Sequence, residues 1–469
     1  LVTGAAVAVA PRRRSDGTAG VAAAQPALNP QGLPASVIFP DDPAYAEARL
    51  TFNTRYSRYP AAIVVCSTAS EIAKSIRWAR RHEIEVRVRS GGHSYEAFSV
   101  ADGALVIDLS GTAGVAVDAV RREAVVGAGT RLRDLSLALS AHGLAAPVGT
   151  CPGVGLGGLA LGGGVGFLSR PHGLTCDNVV VIDAVDADGR LVRASEDENH
   201  DLFWALRGGG AGGFAVAVAF RLRLAAIGTV ARCAIAWPLG DAAAVIDAWQ
   251  RWAPSTDNRL TLGLAAPGGS GGVVSASGVF IGAEEGLYAL LEPLLSAAPS
   301  ASTQVWSAPW SAVVEELGGP PAAHAMFKNA SAIAYEPLNE VAIGMLLDGL
   351  AAAPPGANLV GLFPLGGAVA AMEPDATAFP HRRALFDLQY QAYWSPGEDG
   401  AAQLAWVRSI RDAMRPFTHG AYANYADADL ADWATAFYGG NLDRLRRVKT
   451  AWDPDNVFGG PQAIQPTRS

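Results

Sequence analysis

The sequence predicts an α+β protein of two domains, and three observations carry that expectation. An apolar run at 61–66 leads into a helical period and then an alternating strand, as in a layered unit with a buried sheet. From about residue 226 the pattern becomes long alternating segments mixed with helical ones, which suits an antiparallel sheet covered by helices. Glycine supplies 53 of 469 residues, well above its usual share of roughly 7%, and crowds between 149 and 166.

The elements follow in order. Residues 1–36 are rich in Ala, Gly, Pro and Arg with no apolar period, and are expected to be a tail. Their first ten residues are small and apolar, ahead of Pro11 and Arg12-Arg13-Arg14, as in the remnant of an export signal that has lost its charged start. Asp41-Asp42-Pro43 suggests a short helix with Pro43 in its first turn and an aspartate cap. A helix is expected over 67–83 from the spacing of Ile72, Ile76 and Ala79, with Ser67, Thr68 and Ser70 available to cap it. Residues 85–89 alternate as a strand and run directly into Ser90-Gly91-Gly92-His93, the kind of strand-end loop where chemistry is usually placed. Further strands are expected at 105–109, 124–126 and 179–185, with a helix at 134–142 ended by Gly143. In the second domain the alternating segments are 231–237, 272–281, 359–365 and 386–394.

Bulk properties exclude several functions. A formal net charge of −8 leaves no basic face for a phosphate backbone, so no nucleic-acid partner is expected. No stretch approaches the ~20 apolar residues of a membrane span. Cys66, Cys151, Cys176 and Cys233 are too scattered for a disulfide framework or a zinc pair, and the eight histidines lack ligand spacing, so no metal is expected.

Within the glycine-rich run, Gly153, Gly155 and Gly158 match the Gly-x-Gly-x-x-Gly fingerprint of a dinucleotide fold. The context argues against that reading: Cys151-Pro152 stands where a strand should end, and more glycines follow where a helix should open. The physical content survives. Glycines at this density let successive backbone N–H groups converge on an anion such as a pyrophosphate.

Arg89-Ser90-Gly91-Gly92-His93-Ser94-Tyr95, taken with Cys151-Pro152-Gly153-Val154-Gly155-Leu156-Gly157-Gly158, resembles the berberine bridge enzyme family of the vanillyl-alcohol oxidase superfamily of FAD enzymes. Arg170-Pro171-His172-Gly173-Leu174-Thr175-Cys176-Asp177-Asn178, Phe379-Pro380-His381-Arg382, Tyr422-Ala423-Asn424-Tyr425 and Asp453-Pro454-Asp455-Asn456 fit the same pattern, in order, over roughly 40–465. The resemblance implies that family's two-domain fold: an FAD-binding domain from 40–225 completed by 419–469, and a substrate domain over 226–418. It also implies FAD held by two covalent bonds, from His93 to the flavin 8α carbon and from Cys151 to C6. Taken singly, His93 resembles a solvated loop histidine and Cys151 a small buried thiol. The cofactor cradle would comprise Arg89, Ser90, Gly91, Gly92, Ser94, Gly153, Val154, Gly155, Gly158, Gly162, Gly166, Asp177 and Asn424.

The same resemblance places a catalytic base at Tyr425, with Tyr422 as its rival, because removal of hydride from an alcohol also requires removal of the hydroxyl proton. Related carbohydrate oxidases use an aspartate to assist that tyrosine; here Phe363 stands at about that position and its strand carries no acid. Tyr95 matches a substrate-contacting position. Gln389, Gln391 and Tyr393 share one strand face and line the pocket if that face points inward. A valine at the position of Val154 goes with oxygen-reactive members. The expected reaction is oxidation of an alcohol carbon of a sugar or small natural product, with O2 reduced to H2O2. The alternative is tailoring of a non-sugar natural product. A small-molecule substrate and O2 are the expected partners, for a monomer or homodimer.

Overall fold

The apolar run at 61–66 forms the strand Ala62–Val65 in the computed structural model, which describes residues 30–210, 213–318 and 324–467. The tail expected over 1–36 therefore lies, up to residue 29, outside the described residues, as does the signal-like segment. Ala62–Val65 sits between Val37–Ile38 and Leu105–Asp108, with Val86–Arg89 beyond; all pairings but that of Val37–Ile38 are parallel. Covering on both faces explains the unbroken apolar character of the inner strands. The helix Ala69–Arg81 starts on a capping box, in which the Thr68 hydroxyl accepts from Glu71 N and the Glu71 carboxylate accepts from Thr68 N. Ile72, Ile76 and Ala79 fill its buried stripe, as their spacing requires. The N-terminal expectation needs correcting. The helix there is Tyr45–Ala48, starting after Pro43, and it has no aspartate cap because the Asp42 carboxylate accepts from Phe39 N instead.

A second, antiparallel sheet orders Val115–Asp118, Glu123–Gly127, Val216–Arg223, Val179–Val185 and Leu191–Ser195. The third sheet is the largest, with seven antiparallel strands in the order Ser302–Pro309, Thr229–Pro238, Val273–Phe280, Leu260–Pro267, Ala357–Pro364, Phe386–Trp394 and Met326–Ala334. Four of its strands match the alternating segments at 231–237, 272–281, 359–365 and 386–394. Leu260–Pro267, Ser302–Pro309 and Met326–Ala334 escaped the sequence reading. Helices Ala242–Trp252, Glu284–Ala297, Glu340–Ala351 and Ala401–Met414 cover one face of this sheet and share its core. Period two sorts the side chains: Phe386, Leu388, Tyr390 and Ala392 enter that core, while Gln389, Gln391 and Tyr393 take the opposite face.

One apolar core draws on residues from 62 to 224 together with 378 and 421 to 464; another draws on 231 to 414. Two buried arginines fasten the halves. Arg170 is fully buried and donates to the carbonyls of Pro254, Thr256, Leu260 and Leu365 at 2.6–2.8 Å. Burial lowers its pKa to about 10, with Asp257 opposing, so it remains charged at neutral pH. Arg382 grips Asp177 bidentately at 2.6 and 2.7 Å.

Candidate functional site

Two loops meet at the mouth of the parallel sheet. The first leaves Val86–Arg89 as Ser90 to Tyr95, turning at Gly92 with φ +69°. The second is the glycine-rich run, in which the short helix Leu156–Leu161 begins just after Gly155. Here the fingerprint does open a helix, though a short one, while the preceding strand, Leu144–Ala145, ends well before Gly153 and does not run into it. The loops approach so closely that a Cβ on Gly155 would lie 2.1 Å from Ser90 Oγ and 2.3 Å from Gly91 N. Arg131, missed by the sequence reading, donates to the carbonyls of both Gly91 and Gly153 and so ties the loops together.

Both candidate nucleophiles open onto the cavity formed there, of about 370 Å³. The His93 ring stacks on Phe52 at 4.1 Å and 15°. Burial, with Arg131 nearby, lowers its pKa to about 3, so the imidazole is neutral and its lone pair available. Cys151 is the exposed one of the four free cysteines, and the space it faces is this cavity. The protein walls around it raise the thiol pKa, with Thr150 opposing.

The residues present fit an FAD. Among the described residues, the backbone N–H groups of Gly91 to Tyr95 have no protein acceptor, although they border the cavity. Unfilled donors converging on a space walled by glycine are what a pyrophosphate needs. The cavity continues from Val86 past Gly157 and Gly158 to the C-terminal residues 458–463, giving room for an elongated dinucleotide.

The tyrosines sort themselves by their partners. Tyr422 is buried, and its hydroxyl oxygen accepts from Gly164 N and from Asn424 Nδ2, both at 2.8 Å. That occupies its lone pairs and ties the glycine run to the C-terminal segment. The Tyr425 hydroxyl has no hydrogen-bond partner among the described residues, and Tyr425 lines the cavity. Its ring stacks on Tyr95 at 5.5 Å and 9°. Burial, then the negative charge of Asp387, holds the Tyr425 phenol well above its ordinary pKa.

The wall facing the tyrosines is the open face of the seven-stranded sheet. Gln389 Nε2 donates to the Tyr95 hydroxyl at 3.0 Å, and the Tyr393 hydroxyl donates to Gln391 Oε1 at 3.1 Å. Phe363 stands beside them, edge-on to Phe167 at 5.7 Å. Its cross-strand neighbour is Asp387, 2% exposed and without a hydrogen-bond partner among the described residues. Burial raises the Asp387 pKa to about 7. The sequence reading missed this acid, although its signal was present: Asp387 opens the period-two series 387, 389, 391, 393.

Other expected residues land in different roles. Ser90, Gly91, Gly92, Ser94, Val154, Gly155, Gly158, Gly166 and Asn424 line the cavity. Arg89 is turned away and pairs with Asp108, anchoring the strand from which the first loop departs. Asp177 spends both carboxylate oxygens on Arg382, an interdomain tie outside the cavity lining. Gly153 and Gly162 also lie outside the lining: a Cβ on Gly153 would meet the His93 ring, and one on Gly162 the Asn424 amide. No group of three or more His, Cys, Asp or Glu suited to a metal occurs among the described residues. No helix among them is long and apolar enough to cross a membrane.

The chain matches the model of an FAD binding domain over residues 60–195, and that of the berberine and berberine-like family over residues 421–465. It is 37% identical to an uncharacterized FAD-linked oxidoreductase of Bacillus subtilis, YgaK, over 93% of this chain and 98% of that one. It is 30% identical to the berberine bridge enzyme-like protein Cyn d 4 of Cynodon dactylon, over 90% of this chain and 89% of that one. Among solved structures it superposes on a chitooligosaccharide oxidase with a TM-score of 0.86 at 26% identity, covering 92% of this chain and 97% of that one.

Proposed function

Since the chain belongs to the berberine bridge enzyme-like family of FAD-linked oxidoreductases, we propose that it is an oxidase that dehydrogenates an alcohol carbon and releases H2O2. In balance, the substrate's CH–OH group and O2 become a C=O group and H2O2, as two electrons and two protons pass from carbon and hydroxyl to oxygen. Bound FAD supplies the hydride acceptor and, on reoxidation, the two electrons that reduce O2. Everything else falls to side chains. His93 and Cys151 hold the cofactor by two covalent bonds, and the neutral imidazole supports the first of these. Val154 borders the cavity with a small side chain, leaving room for O2.

One observation carries the assignment of the base: the Tyr425 hydroxyl faces the cavity with no protein partner, whereas the Tyr422 oxygen is already engaged twice. Its raised pKa keeps Tyr425 a neutral phenol at rest, so it needs a proton acceptor of its own. Asp387 fills that need from the strand beside the one that lacks an acid. The substrate hydroxyl gives its proton to the Tyr425 oxygen, and Asp387, whose charge reaches that phenol without a hydrogen bond to it at rest, is the acid that takes up the phenolic proton when the site closes on substrate. The carbon then sheds hydride from an alkoxide rather than an alcohol. Tyr95, Gln389 and Gln391 orient the hydroxyls of the substrate.

Two observations favour a sugar-like substrate: the row of amides and phenols along 389–393, and the likeness to a chitooligosaccharide oxidase. Phe363 packed on Phe167 favours the second reading, a natural product with an apolar portion. A panel of sugars and hydroxylated aromatics scored by peroxide release tests both. Peroxide from none of them, with flavin still reduced under argon, would make the protein a dehydrogenase. Flavin lost from the acid-denatured pellet would sink the covalent attachment.

A further inference from the structure

We propose that Lys328 is a positioning residue that holds the Tyr95–Tyr425 pair in register, acting through the carboxylates of Glu96 and Asp427. The inference rests on the reading of Tyr425 as the base. Lys328 lies in the strand Met326–Ala334 between Phe327, which meets the Tyr95 ring edge-on at 5.3 Å, and Asn329. Alternation turns Lys328 away from the cavity, and its side chain is 1% exposed. Its Nζ lies 2.5 Å from Glu96 Oε1, 2.5 Å from Asp427 Oδ1 and 3.2 Å from Asp429 Oδ2. Glu96 directly follows Tyr95, and Asp427 stands two residues after Tyr425. One ammonium thus fastens the two segments that carry the stacked tyrosines, from behind the site.

The carboxylates are held from their far sides as well. Arg55 pairs with Glu96 at 2.9 Å, with the Tyr56 hydroxyl on the same oxygen. Arg411 pairs with the second oxygen of Asp427 at 2.5 Å, and Gln462 donates to the Asp427 carbonyl at 2.6 Å. Burial opposes the charge on Lys328, but Glu96 and Asp427 outweigh it and raise its pKa, so the ammonium persists. Of the two rings, Tyr95 is held by Gln389 at its hydroxyl and by Phe327 at its edge, while Tyr425 rests on ring contacts with Tyr95 and Tyr422. Tyr425 has no hydroxyl partner among the described residues, and stacking alone leaves a ring free to slide. A buried ion cluster gains little stability over apolar packing of equal volume; what it specifies here is where two backbone segments sit.

The test uses the flavin-loaded enzyme and a chito-oligosaccharide, or whichever compound of the peroxide panel reduces the flavin fastest. Lys328→Met alone leaves Glu96 and Asp427 facing each other and threatens the fold. Lys328→Met with Glu96→Gln removes one charge of each sign and leaves Asp427 on Arg411. The expected double variant retains flavin in the denatured pellet and half-saturates at nearly the parent concentration. Its limiting rate of flavin reduction falls on the order of 10²-fold, the cost of roughly an ångström of misplacement. Lys328→Arg recovers most of that rate. On a Tyr425→Phe background the double variant causes little further loss, because both changes act on one proton transfer. A parent-like rate in the double variant, or full additivity with Tyr425→Phe, overturns the inference. Parent-like reduction by Tyr425→Phe itself instead overturns the assignment of the base.

Discussion

Replacing Asp387 by asparagine should make the protein more stable and less active, and the size of the first effect follows from its burial. The carboxyl is 2% exposed and has no hydrogen-bond partner among the described residues, so ionising it in place is costly. Its pKa rises from 3.8 to about 7 in the folded chain. Between about pH 4 and pH 7 the native state therefore holds one proton more than the unfolded state, and stability falls as pH rises. Some three pH units at about 1.4 kcal/mol each give a penalty of about 4 kcal/mol, complete above about pH 7. Asparagine has the same shape and no charge, so it escapes that penalty. With an unfolding entropy of about 1 kcal/mol per kelvin for a chain of this size, the variant should melt about 4 °C above the parent at pH 8. At pH 5 the gain should shrink to roughly 1–2 °C. Thermal melts of the flavin-loaded proteins across pH 5–8 measure this directly. Parallel melting curves at every pH would refute the reasoning, because they would mean that Asp387 ionises normally. The kinetic counterpart is a reduction rate that climbs through about pH 7 in the parent as the carboxylate forms. In Asp387→Asn that rate should be low and level.

The remaining predictions concern the base, the tether, the loops and the interdomain tie. Tyr425→Phe should slow flavin reduction by about 10²–10⁴-fold while leaving the protein yellow; rapid-mixing absorbance checks it. His93→Ala and Cys151→Ala should each keep flavin in an acid-denatured pellet through the surviving bond, and the double variant should release it to the supernatant. Gly155→Ala places a methyl 2.1 Å from Ser90 Oγ and should lower the flavin content of the purified protein, read from the ratio of visible to ultraviolet absorbance. Arg382→Met strands the Asp177 carboxylate inside the interdomain contact and should cost about 3–5 kcal/mol, seen as a lower melting temperature.

Local patterns determined much of this molecule without any structure. Apolar runs, alternation and capping residues placed 179–185 and 386–394 to the residue and the helix after Thr68 within a few residues, because each signal depends only on neighbours in the chain. The two loop motifs identified the cofactor class for the same reason: glycine spacing and the adjacent His93 and Cys151 are contiguous features. Strands such as Met326–Ala334 went unseen, since a segment holding Lys328, Asn329 and Ser331 has no alternation to betray it. Lys328 pairs with Glu96 and Asp427, and the Ser331 hydroxyl accepts from Tyr422 N, all remote in the chain. The remaining features depend on pairing across sequence distance. Asp177 looked like a cofactor ligand until Arg382, 205 residues away, claimed it. The sequence favoured Tyr425 over its rival Tyr422, and in the fold Gly164 and Asn424 occupy the oxygen of Tyr422 and leave that of Tyr425 open. Asp387 became a candidate only when the sheet set it beside Phe363 and buried it near Tyr425, since the cost of its charge arises from an environment that folding assembles.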